Sequence, residues 1–361
     1  MKKFLLNTFD YELFLGSKSG LPMECMIEPT NNLLSVLEEY GVKAIFFVDT
    51  AYLFRLKQNA INYPASAADY AQIKEQLQSL ISKGHYLFPH IHPHWLDAKY
   101  LPDQNQWELI NVKRYRFHNT TTDERKLLFD VSFKILEEII YPVKPDYKIN
   151  AYRAGGWSLQ PFEDYKPFFE QYGIQYDFTV MPGLFQFSNA QYFDFTRNPG
   201  KLVYKFDNDV SQEEAAGSFT EVTSTVLQIP SYINSINKFH LIMLHRLIND
   251  HTFGRGEGQK SVNDESAKPF VQNMNGSAKY HKEVASLELL SIVKLKTYLR
   301  YFNQHNYMQF VSHPKMLSKH NLITFKKFLK TIYKKYEVET DCEKIIKQLQ
   351  PGSSTTNIKL T

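Results

Sequence analysis

Residues His85 to Trp95 read HYLFPHIHPHW and hold four of the chain's twelve histidines. A folded core gives no reason for that density, because a buried histidine must satisfy two ring nitrogens and packs no better than leucine. Metal chemistry does, since neutral imidazole is the commonest side-chain ligand for zinc and its first-row neighbours. His90 and His94 have a spacing that can bring two imidazoles to one ion, with Pro93 marking a loop or helix start. His92 is a candidate third ligand or a loop residue; His85 follows Gly84 and reads as a helix-end residue. Carboxylates are offered by TFDYE, where an extended backbone turns Asp10 and Glu12 to one side. Two such groups repel unless a cation or arginine divides their roles, and YRAGGW carries Arg153 at another apparent strand end. Late histidines follow apolar runs twice, His245 in FHLIMLHRL and His313 in FVSHPK. Each residue also has a plain reading, as a solvated strand end, a buried ion-pair partner or a packed ring; the set has a chemical one.

These residues need strand ends to stand on. KFLLNTFDYE reads as a strand, TNNLLSVLEEY over 30–40 as a helix, and KAIFFVDT as a strand buried on both faces. A second helix over 67–83 is closed by Gly84, and the histidine cluster occupies the next strand and its loop. Helices over 122–140 and 162–172 lead to YKINAYRAGGW and YDFTVMP. Residues 195–230 alternate apolar and polar positions with turn formers, as hairpins do. A polar loop follows over about 252–282, the length of a lid or an insertion. The spacing then predicts a helix near 286–302, the strand YMQFVSHP, a helix over 322–333 and a short strand YEVET. The order is α/β, with polar residues at successive strand ends, where a barrel builds its site.

Composition sets the frame. Of 361 residues, 43% are apolar and 15% aromatic, so a large core can form, and the net charge of +4 is spread along the chain. The basic run KKFLKTIYKK alternates with apolar residues at helical spacing and reads as a solvated helix face; no nucleic-acid module accompanies it. The opening MKKFLL stops short of a secretory core, no stretch spans a bilayer, and Cys25 and Cys342 form no framework. The expectation is a cytoplasmic protein without a transmembrane segment. One catalytic domain is expected over residues 1–345, with residues 346–361 as a disordered tail.

In this order the motifs resemble those of the polysaccharide deacetylase family, the NodB-homology carbohydrate esterases: an acidic first motif after a strand, an HxxxH metal pair, an arginine motif and a late histidine. The resemblance covers nearly the whole chain, from Phe4 to about Thr340. It implies a distorted (β/α) barrel of the NodB-homology type, here with an added β-hairpin region and a long polar loop. It implies one divalent ion, zinc first and cobalt or nickel as alternatives, held by Glu12, His90 and His94. Asp10 is then the general base, Arg153 the group that keeps it ionised, and His313 the general acid, with His245 as the competing candidate. The sequence departs from the family where Tyr11 separates the two acids, leaving open which carboxylate binds metal. It departs again where Gly155 and Gly156 replace the usual proline and tyrosine, so that Gly156 and Trp157 become the candidates for substrate contact.

The implied activity is metal-dependent hydrolysis of an N-acetyl or related amide group on a sugar or glycan precursor. The alternative is a catalytically silent carbohydrate-binding protein that keeps the pocket for glycan assembly. No nucleic-acid partner is expected.

Overall fold

The computed structural model describes residues 2–109, 111–188, 190–258, 271–272 and 279–349. Nine strands form its main sheet: β1 (Lys2–Tyr11), β2 (Ile45–Asp49), β3 (Tyr86–Ile91), β4 (Ala151–Ala154), β5 (Tyr176–Asp177), β6 (Val203–Phe206), β7 (Phe219–Val222), β8 (Tyr307–Ser312) and β9 (Glu337–Glu339). The order is β6-β7-β5-β4-β3-β2-β1-β8, with β9 beside the start of β1. All pairings are parallel except β6 with β7.

The strands are joined by α1 (Glu28–Glu39), α2 (Thr50–Asn59), α3 (Pro64–Ser82), α4 (Thr122–Ile140), α5 (Lys166–Tyr172), α6 (Ser231–Met243), α7 (Leu295–Gln304), α8 (Lys319–Tyr333) and α9 (Cys342–Leu349). β2 is buried along its whole length, as its continuous apolar run requires when both faces are covered. The sheet curls into a half-barrel, and Ala285 links β8 to the residues just past β7: Val311 N donates to Ala285 O at 2.9 Å, and Ala285 N to Thr225 O at 2.8 Å. The result is a mixed α/β fold with a curled, distorted barrel sheet. Among the described residues no helix is long and apolar enough to cross a membrane.

Most helices stand where periodicity placed them; α4 keeps both predicted ends, and a reciprocal capping box, Thr121 with Glu124, fixes its start. Two helices are shorter than expected: the stretch read as helix over 162–172 opens with a 3-10 turn, Phe162–Asp164, before α5 begins at Lys166. The stretch read as helix from residue 286 becomes turns until α7 begins at Leu295. Asn321 Nδ2 there donates to the Glu288 and Leu290 carbonyls at 3.3 and 3.1 Å, taking acceptors a helix would have used. The domain end expected at 345 also falls inside a helix, since α9 buries Ile345, Ile346 and Leu349 against the core. The remaining tail, 350–361, lies outside the described residues, as do 259–270 and 273–278 of the expected polar loop.

Candidate metal and acid–base site

Strand parity assembles the site. Thr8, Asp10 and Glu12 alternate with Phe9 and Tyr11 along β1 and just past it, and the polar set turns inward. Asp10 Oδ1 accepts from Arg153 Nη1 at 2.7 Å, and Thr8 Oγ1 accepts from Nη2 at 2.7 Å. Arg153 is fully buried, donates through Nε to Phe178 O at 3.1 Å, and lies over the Phe47 ring with Cζ 4.2 Å from its centroid. Burial pushes the Asp10 carboxyl up, but the Arg153 guanidinium together with His90 and His313 holds it below its ordinary range. Its second oxygen, Oδ2, faces the site, 4.0 Å from His90 Nε2 and 3.6 Å from His313 Nε2.

Glu12 repeats this division. Lys315 Nζ donates to its Oε1 at 2.8 Å and to Leu13 O at 2.5 Å. Oε2 is buried 2.8 Å from His92 Nε2 and 3.5 Å from His90 Nε2, without alignment for a hydrogen bond. Burial opposes ionisation of Glu12, yet Lys315 and His92 hold its carboxyl well below the usual range.

His90 pairs in register with Arg153 across β3 and β4, and its Nδ1 is 2.9 Å from the Arg153 carbonyl. A carbonyl can only accept, so Nδ1 carries the proton and Nε2 presents a lone pair. His92 keeps an extended backbone (φ −107°, ψ 101°), so two-residue parity turns it the same way, and its Nε2 lies 2.9 Å from that of His90. Gly155 makes the room: a Cβ there would stand 2.3 Å from Ile91 O and 3.0 Å from His92 Nδ1.

The structure thus brings His92, and not His94, to His90 and Glu12; the three donor atoms lie within 4.8 Å of one another. Pro93 starts a 3-10 turn over Pro93–Asp97 that carries His94 away from strand parity. The His94 ring stacks on Tyr115 at 4.1 Å and 8°, and neither nitrogen has a hydrogen-bond partner among the described residues. Burial, with His92 beside it, lowers its pKa far below the ordinary value and keeps it a neutral aromatic plate.

At the end of β8, His313 Nδ1 is 3.0 Å from Glu288 Oε1, and Nε2 points between Asp10 Oδ2 and Glu12 Oε1, 3.6 Å from each. Burial lowers its pKa, but Glu288 outweighs burial with the help of Asp10 and Glu12, so the net shift is upward. His245 is elsewhere, exposed in the turn Leu244–Ile248 with its ring 4.4 Å from that of His251. A cavity of about 400 Å³ opens over these groups, lined by Glu12, His92, Glu288, His313 and Lys315, with Tyr115, Gly156 and Gln191 in its wall. Such a volume suits a small-molecule ligand; Phe14, Leu15, Ala190 and Met316 add apolar surface to it. Trp157 is not in that wall; it lies near Arg153, whose Cζ is 5.8 Å from its ring.

Sequence reasoning missed Glu288, Lys315 and Asp49. Asp49 ends β2 in register with His90 and caps α2 through Tyr52 N at 3.2 Å. Burial raises its pKa to about 6. A polar residue closing the buried run IFFVD was the available signal for Asp49; Lys315 stood two residues past His313, while Glu288 was hidden in an apparent helix.

The donor set fits a zinc-like ion. Two imidazole nitrogens and a carboxylate oxygen suit that metal, and bonds of about 2.0–2.1 Å put tetrahedral ligands roughly 3.3 Å apart. The observed separations of 2.8, 2.9 and 3.5 Å bracket that value.

Neither a family model nor a curated relative matches the chain. Among solved structures it is similar to a protein assigned as a polysaccharide deacetylase from Mycobacterium smegmatis, with 13% identity and a TM-score of 0.45 over 95% of this chain and 89% of that one. It is similar to a 4-alpha-glucanotransferase from Thermococcus litoralis, with 11% identity and a TM-score of 0.44 over 96% and 38%. It is also similar to the Xyl-CE4 domain of a multidomain xylanase from the hindgut metagenome of Trinervitermes trinervoides, with 14% identity and a TM-score of 0.27 over 50% and 59%.

Proposed function

We propose that the protein is a metal-dependent deacetylase that hydrolyses an N-acetyl or related amide group on a sugar or glycan precursor, with a NodB-homology barrel and one catalytic domain running through α9. One observation carries the reading: a buried carboxylate–imidazole–imidazole set stands beside an arginine-held aspartate and a glutamate-held histidine, and Glu12, His92, Glu288 and His313 of that group line one cavity. Glu12, His90 and His92 would hold the ion, zinc by donor chemistry. When bound, it supplies an acidified water and polarises the amide carbonyl.

The chain's own groups do the rest. Asp10, kept ionised by Arg153, accepts the water's proton at Oδ2. His313 carries a proton at Nε2, which it hands to the departing amine nitrogen. Glu288 accepts from Nδ1, so the ring stays charged and oriented until that transfer. The polar cavity wall formed by Gln191 and the Gly156 turn places the sugar; Gln191 Nε2 donates to Gly156 O at 2.6 Å, which fixes one to the other.

The test is acetate release from N-acetylated sugars by the metal-loaded protein, with metal content measured by elemental analysis. Zinc bound at about one ion per chain with acetate released supports the reading. Sugar binding without acetate release, at full metal loading, would support the silent carbohydrate-binding alternative instead.

A further inference from the structure

Helix α6 and the turn Leu244–Ile248 that continues it stand on the surface with their apolar side outward. Tyr232, Ile236, Phe239 and Met243 follow one another at intervals of four, three and four residues, one line along a helix. They are 66%, 52%, 66% and 36% exposed, and Leu247 extends the line at 72%. Asn237 is the only buried side chain of α6. An amphipathic surface helix ordinarily turns such a stripe to the core; here the stripe faces outward.

The apolar surface continues onto two neighbouring elements. Ser291 donates to Asn237 Oδ1, which places α6 beside Ile292, itself 39% exposed. The His240 ring lies 5.2 Å from that of His320, three residues before Ile323, which is 54% exposed.

The charge around the stripe has one sign. From Ser231 to Asn249 there is no aspartate or glutamate, and the charged side chains are Lys238 and Arg246, both exposed. Lys279, also exposed, adjoins the start of the helix, where its carbonyl accepts from Ser231 N at 2.9 Å. The first acid beyond, Asp250, is engaged by Ser318 Oγ at 2.5 Å and His320 N at 3.3 Å.

We propose that α6 lies in the plane of an anionic lipid surface, with the stripe among the acyl chains and Lys238, Arg246 and Lys279 at the phosphates. An exposed apolar line rimmed by cations, on a segment from Ser231 to Asn249 that carries no acid, is what such an interface takes. A second copy fits less well, because a two-fold interface sets the same patch against itself and would oppose like charges. From the helix the chain runs through Phe253 and Gly254, whose amides donate to Leu317 O and Lys315 O at 2.8 Å each, to Gly258 in the cavity wall. This surface is independent of the deacetylase reading; an inactive protein would bind equally.

The experiment is co-sedimentation of the full chain with vesicles of phosphatidylcholine alone or with about a third phosphatidylglycerol. Binding is expected on the anionic vesicles and should weaken with salt. Phe239→Glu with Leu247→Glu should lower the bound fraction about tenfold or more. Lys238→Gln with Arg246→Gln should remove the preference for anionic lipid. All four side chains are exposed, so thermal unfolding should be unchanged and serves as the folding control. No binding by the parent chain, or binding that survives the Phe239/Leu247 double variant, overturns the proposal. So does a parent dimer in sedimentation velocity that this variant dissociates, which would give the stripe to a second copy.

Discussion

Strand β3 is bracketed by histidines, and its two ends use them differently. Just before it begins, His85 Nδ1 accepts from Ala44 N at 3.2 Å, the ring stands edge-on to Phe46, and burial lowers its pKa to about 4. At its far end, His90 Nδ1 donates to a carbonyl and Nε2 faces Asp10 and Glu12; burial lowers its pKa, but those two acids raise it further. One ring is a neutral acceptor built into the packing, and the other donates through Nδ1 and turns Nε2 to the site. The cavities differ in the same sense. The one at the strand starts is larger, about 510 Å³, but its charges, Lys144, Asp146, Lys148, Glu343 and Lys347, do not form a metal-ligand set among the described residues. Convergence of donors at strand ends, rather than volume, marks the site.

The sharpest break of this comparison is at the far end. Asp10→Asn should lower turnover by roughly a thousandfold or more with metal retained, because the amide keeps the shape and cannot take a proton. His90→Ala with His92→Ala should lose the bound ion, measured by elemental analysis of protein whose circular dichroism is unchanged. His94→Ala should keep the ion and lose only its stacking on Tyr115. An ion that leaves with His94 and stays without His92 would reverse the assignment.

A smaller effect is expected at the proton donor. His313→Ala should cost about a hundredfold in turnover with metal retained. Glu288→Gln should cost less, about tenfold, and should also move a pH limb. Glu288 is the main group raising the His313 pKa against burial. Without its charge the ring loses its proton at lower pH, so the alkaline fall of kcat/KM should shift toward acid. A tenfold loss with an unmoved limb would make Glu288 a packing residue only.

Much of the site could be read before the fold was known, for a physical reason. Asp10, Glu12, His90, Arg153 and His313 end strands whose apolar runs are plain, and strand parity predicts which side chains share a face. The same parity would have chosen His92 over His94, had Pro93 been taken as the end of the extended segment rather than as part of a four-residue spacing. Glu288 was not legible, because SLELLSIVK has helical periodicity and only a long-range contact, Asn321 against its carbonyls, holds it as turns. Lys315 was not legible either, since its partner Glu12 lies 303 residues away.

The last prediction tests the quiet end of β3 and should leave turnover at neutral pH unchanged. The folded His85 pKa is about 4, below the ordinary value near 6.5. Between these values the unfolded chain binds a proton that the folded chain refuses, so stability is fully present above about 6.5 and falls as pH drops toward 4. The full shift corresponds to something on the order of 3 kcal/mol. His85→Gln offers an amide oxygen to Ala44 N without a titrating group. Urea unfolding at pH 7 and pH 5 should therefore show a smaller acid loss in the variant than in the parent chain. An equal loss in both would mean that the acid sensitivity lies elsewhere, for example with His118, whose pKa burial also lowers to about 4.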